Sequence, residues 1–328
     1  MALACSASGS GNSGFPNAGG ASGSGGSAAA GGSAASTSGS AGSSGSAGGI
    51  GINTDAGGDA SRKGCTAVDM LFVIDNSTSM RNNQEELAKA FPTFVDAMIT
   101  NLPPGTDLHV GITTSSFDTR GGGSPGETNC RSNGTVQEFL QHYQTPDQLN
   151  NGENGGQGRL FSYQGKSFFA GNTADDPVPL KNWFTSAAKA VGESGSVFEM
   201  VAAGGAYIAH PSNGATNKGF IRDEGAVLVV FFLSDEVDNS PETVQVYHDM
   251  ITSLKARCGG DPCILTGGIL MPCLATTPDN TLYGLMSSFG ETPKIADIDD
   301  PTQYSQAIGD ALAQVIAVTC DKIPPPPR

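Results

Sequence analysis

The chain has 328 residues and a formal net charge of −15 at pH 7. The acidic excess lies outside residues 6–64, because the charged side chains there, Asp55, Asp59, Arg62 and Lys63, cancel. An acidic domain repels phosphate backbones, so nucleic acid is not expected as a partner. No apolar run approaches the ~20 residues that a membrane-spanning helix needs.

Composition divides the chain into regions of different character. Residues 6–64 are almost entirely Gly, Ser, Ala and Asn, which bury too little apolar surface to offset the entropy lost on folding. We predict a disordered tether there, a domain over 65–320 and a Pro-rich tail over 321–328. Residues 118–180, rich in Gly, Asn and Pro, form a long insertion after the second predicted strand.

The first residues, Met1-Ala2-Leu3-Ala4-Cys5, resemble the end of a bacterial lipoprotein signal, in which a small residue precedes a Cys. The charged region and most of the apolar region of such a signal are missing. We expect residues 1–5 to be a remnant of that signal. Lipidated Cys5 would anchor the chain in the cell envelope, at the outer membrane or cell surface or in the periplasm. The alternative is an ordinary Cys in a disordered segment.

The elements begin with an apolar run over residues 68–74, which is typical of a strand buried on both faces. A helix is predicted over 82–102, and Pro92 is expected to kink it or confine it to two segments. Residues 108–114 form a second predicted strand. A hairpin is predicted over 159–170, a helix around Trp183 and a further helix over 197–209.

The second half of the domain continues the alternation of strands and helices. Residues 226–233 are the most apolar run in the chain and are expected to form a central strand. Further strands are predicted over 264–271 and, at an edge, over 294–298, with helices around Tyr247, Leu285 and Ile308. This order predicts an α/β fold with a doubly wound, mostly parallel sheet flanked by helices.

Two polar loops follow buried strands and so share one edge of the predicted sheet. Asp75-Asn76-Ser77-Thr78-Ser79 follows the first strand, and residues 234–240, which include Asp235, follow the central strand. Ligands of open α/β sheets bind beyond the carboxyl ends of the strands. Carboxylate and hydroxyl oxygens are hard ligands, which favour Mg²⁺, Mn²⁺ or Ca²⁺ over zinc or copper.

Asp-x-Ser-x-Ser after a buried strand resembles the metal-ion-dependent adhesion site of von Willebrand factor type A domains. The resemblance spans nearly the whole predicted domain and implies their Rossmann-like fold. It implies that Ser77 and Ser79 ligate the cation directly and that Asp75 and Asp235 ligate it or hold its waters. It also implies Mg²⁺, or Mn²⁺ or Ca²⁺, as the cofactor, and a protein partner that presents a carboxylate.

The sequence departs from the family where the second loop normally supplies a Thr. The corresponding residues contain no Thr, and Ser196 or Glu199 is the candidate replacement. Glu236 and Asp238 in the third loop are candidates for a second cation, with a solvated acidic loop as the alternative.

We therefore expect a metal-dependent adhesion module and not an enzyme. Ser77 stands where a haloacid-dehalogenase-type phosphatase needs a second Asp, and no Gly-x-Ser-x-Gly elbow or Gly-Lys-Ser/Thr loop is present. The alternatives are a structural module whose metal loop is degenerate, or a hydrolase that uses Asp75 or Glu199.

Six cysteines remain beyond Cys5, and an even number in an exported chain indicates disulfides. Cys263 and Cys273 bracket one predicted strand and lie roughly 26 Å apart, too far to pair. The two cysteines of a disulfide must lie at the same edge of the predicted sheet, and this predicts three disulfides: Cys65–Cys320, Cys258–Cys263 and Cys130–Cys273. A zinc half-site at Cys258 and Cys263 is the weaker alternative, because no second pair has zinc-ligand spacing.

Overall fold

A computed structural model describes residues 66–117, 154–195, 199–271 and 281–314. The chain divides into two units, Met1–Ala56 and Gly57–Arg328, and every described residue belongs to the second. The predictions for Cys5, for the tether over 6–64 and for the tail over 321–328 lie outside the described residues.

Within the described residues, strands β1 to β6 form one sheet in the order β3-β2-β1-β4-β5-β6. All neighbouring pairs are parallel except β2 and β3, which are antiparallel. The doubly wound, mostly parallel α/β fold is thus confirmed, with β4 central and β6 at an edge as predicted. The strands are β1 (Ala67–Ile74), β2 (Asp107–Thr114), β3 (Phe168–Asn172), β4 (Ala226–Ser234), β5 (Ile264–Leu270) and β6 (Lys294–Asp297).

Helices cover both faces of this sheet. On one face α1, α2 and α6 pack in a single apolar core, and on the other α3, α4 and α5 pack in a second. The helices are α1 (Arg81–Asn101), α2 (Val178–Ala190), α3 (Val201–Ala206), α4 (Val244–Ser253), α5 (Thr281–Ser287) and α6 (Tyr304–Gln314). None of the described helices combines the length and apolarity needed to cross a membrane.

The central strands are apolar on both faces because each contributes to both cores. In β1, Met70 and Phe72 belong to the core under α1, whereas Leu71 and Val73 belong to the core under α3. Successive side chains of a strand point to opposite faces, so a strand between two helical layers is mostly apolar on both faces, with Asp69 as the exception in β1.

Three predicted elements differ from the structure. Pro92 does not divide α1, which is one helix from Arg81 to Asn101, so the two-segment alternative is wrong and the kink stays a prediction. The predicted hairpin over 159–170 is reduced to an isolated bridge between Tyr163 and Lys166, and Phe168–Asn172 pairs with β2 instead. The pairing lets the rings of Phe168 and Phe169 pack on Phe220 and Trp183.

The third difference concerns the helix predicted over 197–209. It begins only at Val201 and ends in a 3-10 turn, Tyr207–Ala209. Met200, directly before it, is not helical, and its amide donates to the carbonyl of Ser115 over 3.2 Å. Those two residues bind the second loop to the end of β2.

The structure contains the predicted Cys258–Cys263 disulfide, with a Cα–Cα distance of 6.2 Å. It links the chain after α4 to the start of β5, at the amino end of the strands. Cys65, Cys130, Cys273 and Cys320 lie outside the described residues, so their pairing stays a prediction.

A buried ion pair lies near the amino ends of the central strands. Asp69 of β1 and Lys255 are both fully buried, and their charged atoms Oδ2 and Nζ lie 2.9 Å apart. Nζ also donates to the carbonyls of Arg222 and Ala226, and the Arg222 guanidinium donates to Asp69. Every charge in this cluster therefore has an oppositely charged or hydrogen-bonded partner, as buried charges require.

Candidate metal centre

The first and third loops meet because β1 and β4 are paired neighbours. Ile74 and Leu233, the last apolar residues of the two strands, are partners in the parallel register. The amide of Asp75 then donates to the Leu233 carbonyl over 2.9 Å, and the hydroxyl of Ser234 donates to Asp75 Oδ2 over 2.8 Å. The sheet therefore brings the two predicted loops together at its carboxyl edge.

Asp75 is fully buried at the base of the site. Its Oδ1 accepts from the amide of Ser77 over 2.9 Å and from the hydroxyl of Ser115 over 3.4 Å. Burial raises the pKa of Asp75 to about 6, although the hydrogen bonds from Ser77 and Ser234 oppose that rise. The carboxylate is thus held in one orientation at the foot of the first loop.

The two serine hydroxyls of the first loop lie beside each other, and that of Ser79 contacts the third loop. The Oγ atoms of Ser77 and Ser79 lie 2.8 Å apart, and Ser79 Oγ donates to Asp235 Oδ1 over 3.1 Å. Asn83 of α1 lies 3.4 Å from the other oxygen, Oδ2. Burial raises the pKa of Asp235, and the hydrogen bond from Ser79 opposes that rise. Hydroxyl and carboxylate oxygens of both loops thus face one another.

Glu199 lies at the same edge, in the second loop, whereas Ser196 lies outside the described residues. Only 1% of Glu199 is exposed, and its Oε2 has no hydrogen-bond partner in the described part of the chain. Burial and then the nearby charge of Asp75 raise the pKa of Glu199 to about 9. A buried carboxylate beside another carboxylate is unfavourable unless a proton or a cation balances the charge.

Glu236 and Asp238 differ from each other in the structure. Glu236 is exposed, but the carboxylate of Asp238 is buried and accepts from Ala202 N over 3.2 Å and from Ser240 Oγ over 2.7 Å. The solvated-loop alternative is therefore wrong for Asp238, which instead binds the start of α3. Their hypothetical role at a second cation stays a prediction.

Sequence reasoning gave no role to several residues that hold these loops. Ser115 and Ser234 hydrogen-bond to Asp75, and Gln84 of α1 donates to the carbonyls of Asp75 and Gly192 over 3.4 and 2.8 Å. The two serines follow β2 and end β4, so their position at the carboxyl edge was a usable signal. Gln84 carries no such signal, because its contact depends on the packing of α1.

The donor set fits a hard divalent cation that binds serine hydroxyls as well as carboxylates. In residues 66–117, 154–195, 199–271 and 281–314 no group of three or more His, Cys, Asp or Glu side chains is positioned to hold a metal. A cation here would thus depend on Ser77 and Ser79. Two hydroxyls within 2.8 Å of each other and an adjacent carboxylate are a set that Mg²⁺, Mn²⁺ and Ca²⁺ accept.

The sequence matches no family model and no curated protein. Among solved structures, the chain is similar to a von Willebrand factor type A protein from Catenulispora acidiphila, with 15% identity and a TM-score of 0.37. It is also similar to proximal thread matrix protein 1 from the mussel byssus, with 14% identity and a TM-score of 0.38. The third is the pilus adhesin SpaC from Lactobacillus rhamnosus GG, with 12% identity and a TM-score of 0.39.

Each of these similarities covers 76% of this chain, but only 42%, 47% and 30% of the respective structures. The identities and TM-scores are too low to assign the chain to a family. What the molecule itself establishes is the fold class: a mostly parallel α/β sheet between two helical layers, with hydroxyl and carboxylate groups gathered at its carboxyl edge.

Proposed function

We propose that this chain is a metal-dependent protein-binding module of the von Willebrand factor type A kind, tethered to the cell envelope. The proposal rests on two contacts beside buried Asp75. Ser79 Oγ lies 2.8 Å from Ser77 Oγ and 3.1 Å from Asp235 Oδ1. In an open α/β fold, ligands bind beyond the carboxyl ends of the strands, where the two loops here place their oxygen atoms.

Each residue has a distinct part in this proposal. Ser77 and Ser79 offer hydroxyl oxygens to the cation, Asp235 offers a carboxylate, and Asp75 fixes the loop and balances charge. The cation, Mg²⁺ or its substitutes Mn²⁺ and Ca²⁺, supplies when bound a position for an incoming carboxylate. The partner is a protein with an exposed Asp or Glu side chain, and Val237, 60% exposed beside Asp235, gives it an apolar contact.

The envelope location rests on Cys5 and on the composition of residues 6–64. A Gly/Ser-rich coil of that length has an r.m.s. span of roughly 45 Å. A lipid on Cys5 would then hold the module near the membrane while the module reaches partners beyond the surface.

The first test is calorimetric titration of the full chain with Mg²⁺ and Mn²⁺. We expect Asp75→Ala and Ser77→Ala to remove most of the binding, because each takes away an oxygen or the support of the loop. Thr78→Ala is the matched control, since the Thr78 hydroxyl points away, to the carbonyl of Glu193 at 3.2 Å. Equal binding by all four proteins, or none by the wild type with Mg²⁺, Mn²⁺ or Ca²⁺, would refute the proposal.

The second test concerns the partner's carboxylate. A peptide with one central Glu, immobilised beside its Gln counterpart, is the probe. The wild-type chain is expected to bind the Glu peptide more strongly than the Gln peptide in Mg²⁺ and to lose that difference in EDTA. A difference that persists in EDTA would contradict a metal-bridged contact.

A structural module without a functional metal site is the second candidate. The observation in its favour is that Ser77, Ser115 and Ser234 all hydrogen-bond to the carboxylate of Asp75. This candidate requires thermal unfolding to be the same in Mg²⁺ and in EDTA, which the first candidate forbids.

A further inference from the structure

Strand β3 forms one edge of the sheet, and the hydrogen bonds around it show which of its backbone groups face outwards. In the antiparallel pairing with β2, Asn172 lies opposite Asp107. The Asp107 amide donates to Thr66 O, on the β1 side of β2, over 3.0 Å, so this pair shares no hydrogen bond. Because backbone groups alternate along a strand, those of Phe168, Ala170 and Asn172 all point away from β2.

Asp175 closes one end of this outer side. Its Oδ2 accepts from the Asn172 amide over 2.9 Å, and its own amide donates to the Asn172 carbonyl over 3.0 Å. The outward amides and carbonyls of Phe168 and Ala170 are different, because nothing in the described part of the chain pairs with them. Free donors and acceptors at neighbouring positions of an edge are a template for a further strand.

The two edges of the sheet differ in how they are protected. At the opposite edge, β6 has four residues and carries a charged residue at each end, Lys294 and Asp297. Residues 168–172 read Phe-Phe-Ala-Gly-Asn, with neither a charge nor a proline, and Ala170 is exposed. Proteins usually protect a free edge with short strands, charges or proline. The contrast indicates that β3 is left open for a partner.

A cavity of about 300 Å³ adjoins this edge on the side of the sheet that α1 and α2 cover. Ala170 and Gly171 of β3 line it, so it lies beside the free backbone groups. Its volume is at the lower end of ligand pockets and fits one aliphatic side chain. Because every second side chain of an added strand points to this face, one of them would enter the cavity. Four apolar side chains form its wall: Ile99, Leu108, Phe169 and Leu180.

The residues before α2 give the cavity an acidic end. Asp175 and Asp176 line it and are both exposed. The basic side chains nearby are already engaged: Lys181 pairs with Asp96 over 2.5 Å, and Lys166 lies 5.0 Å from the centre of an aromatic ring of β3. This end therefore attracts a basic side chain. The net charge of −15 repels a second copy of the chain and favours a basic partner.

We infer that β3 binds an extended segment of a partner protein as an additional strand, with one aliphatic side chain in the cavity and a Lys or Arg beside Asp175 and Asp176. Main-chain hydrogen bonds supply the affinity in this mode, and alternate side chains supply the specificity. The surface is separate from the candidate metal centre, because Leu108 lies at the start of β2 whereas the metal loops follow the ends of their strands. Binding here needs no cation.

The test is fluorescence anisotropy of the full chain in EDTA with two short labelled peptides. Both alternate threonine and valine around a central leucine. One begins and the other ends with a pair of lysines, because an edge accepts a strand in either direction. We expect at least one of them to bind with a Kd below about 1 mM. Its twin with glutamate in place of lysine is expected to bind at least about threefold more weakly.

N-methylation of the peptide distinguishes strand addition from other contacts. Methyl groups on the alternate amides that face β3 remove the donors, so this peptide is expected to bind at least about tenfold more weakly. The peptide methylated on the other alternate amides is the matched control. Those amides face solvent, so its affinity is expected to stay within about threefold. Equal effects of the two methylation patterns would overturn the inference.

Ala170→Pro is the matching change in the chain. It removes an outward amide that β2 does not use, so the sheet should persist while peptide affinity falls at least about tenfold. The conservative variant Ala170→Ser keeps the amide and is expected to retain the affinity. Asp176→Asn, which can still accept from the Val178 amide, is expected to weaken binding about two- to fivefold. Asp310→Asn, an equal charge change on the exposed side of α6, is its control.

A wild type that binds neither peptide, or a folded Ala170→Pro chain with wild-type affinity, would overturn the inference. So would a wild-type dimer in sedimentation that Ala170→Pro converts to a monomer, because a second copy would then occupy the edge. If circular dichroism shows that Ala170→Pro does not fold, the two methylated peptides decide alone. A wild type that binds the peptide but no divalent cation would contradict the proposed function and leave this inference standing.

Discussion

At the scale of single residues, the buried carboxylate of Asp75 would make protons competitors of the proposed cation. Burial raises its pKa from 3.8 to about 6, because the charged form is poorly solvated there. In the metal-free protein that shift favours the protonated form of the folded state, so folding stability falls as the pH rises from about 4 to about 6. A bound cation reverses the preference, because it favours the charged form.

This competition predicts that metal affinity is lost as the pH falls through about 6. Below that pKa, Asp75 must release a proton before it can balance the cation, so the apparent affinity declines by up to tenfold for each further pH unit. Mn²⁺ titrations at about pH 7.5 and about pH 5 measure the effect, with circular dichroism as the check that the fold persists. Equal affinities at both values would contradict a role for Asp75.

At the same scale, Gly195 determines how closely the second loop approaches the first. Its amide donates to Asn76 O over 2.8 Å, and a Cβ built on it would lie 2.3 Å from Asn76 Oδ1. Asn76 Oδ1 cannot move away from an added Cβ without losing the hydrogen bond that it accepts from the hydroxyl of Ser116.

Gly195→Ala is therefore expected to displace the two loops from each other and weaken Mn²⁺ binding about 10- to 100-fold, as changes beside metal ligands do. Gly309→Ala in α6 is the control, because its added Cβ would meet only Asn101 Nδ2 at an ordinary 3.6 Å. Calorimetry that finds both variants alike would show that the close approach is not needed.

At the scale of elements, a buried ion pair joins β1 to the chain after α4. Asp69→Asn would leave the Lys255 ammonium buried without its counter-charge, although the carbonyls of Arg222 and Ala226 still accept from it. The expected loss in free energy of unfolding is about 3–5 kcal/mol.

Urea unfolding measures that loss, and Lys89→Gln is the control. Lys89 pairs with Glu86 on the exposed side of α1 over 2.7 Å, and its replacement is expected to leave the free energy of unfolding nearly unchanged, because water screens an exposed pair. Similar losses in the two variants would show that the buried pair has no special importance.

Some of the helices and strands could be predicted from the sequence, and others could not. The strands β1, β4 and β5 were predictable because burial between two helical layers makes each strand a mostly apolar run. The late start of α3 was not, because it depends on the bond from Met200 to Ser115, which no local pattern records. The same holds for β3, whose partner is β2 and not its own neighbouring residues.

Some residues of the candidate site could be predicted from the sequence, and others could not. Asp75, Ser77, Ser79 and Asp235 follow buried strands, so strand order alone placed them at one edge of the sheet. The burial of Glu199 and the cap that Asp238 provides for α3 depend on how the loops pack, and residue spacing does not encode that packing.

At the scale of the whole molecule, a cation that binds only the folded state must stabilise it. At a free concentration about 100 times the dissociation constant, the gain is about 2.7 kcal/mol. For a domain of this size that raises the melting temperature by roughly 5–10 °C. The wild type should therefore melt higher in Mg²⁺ or Ca²⁺ than in EDTA, and Asp75→Ala should not. A wild type insensitive to EDTA would favour the purely structural module.

The edge formed by the first and third loops is proposed to hold a divalent cation. The most direct measurement is a crystal structure of the chain in Mn²⁺, read from the anomalous scattering of the metal. We expect a peak within about 2.6 Å of the hydroxyl oxygens of Ser77 and Ser79, with the Asp235 carboxylate beside it. A map without a peak at this edge, at a Mn²⁺ concentration that saturates other hydroxyl and carboxylate sites, would contradict it.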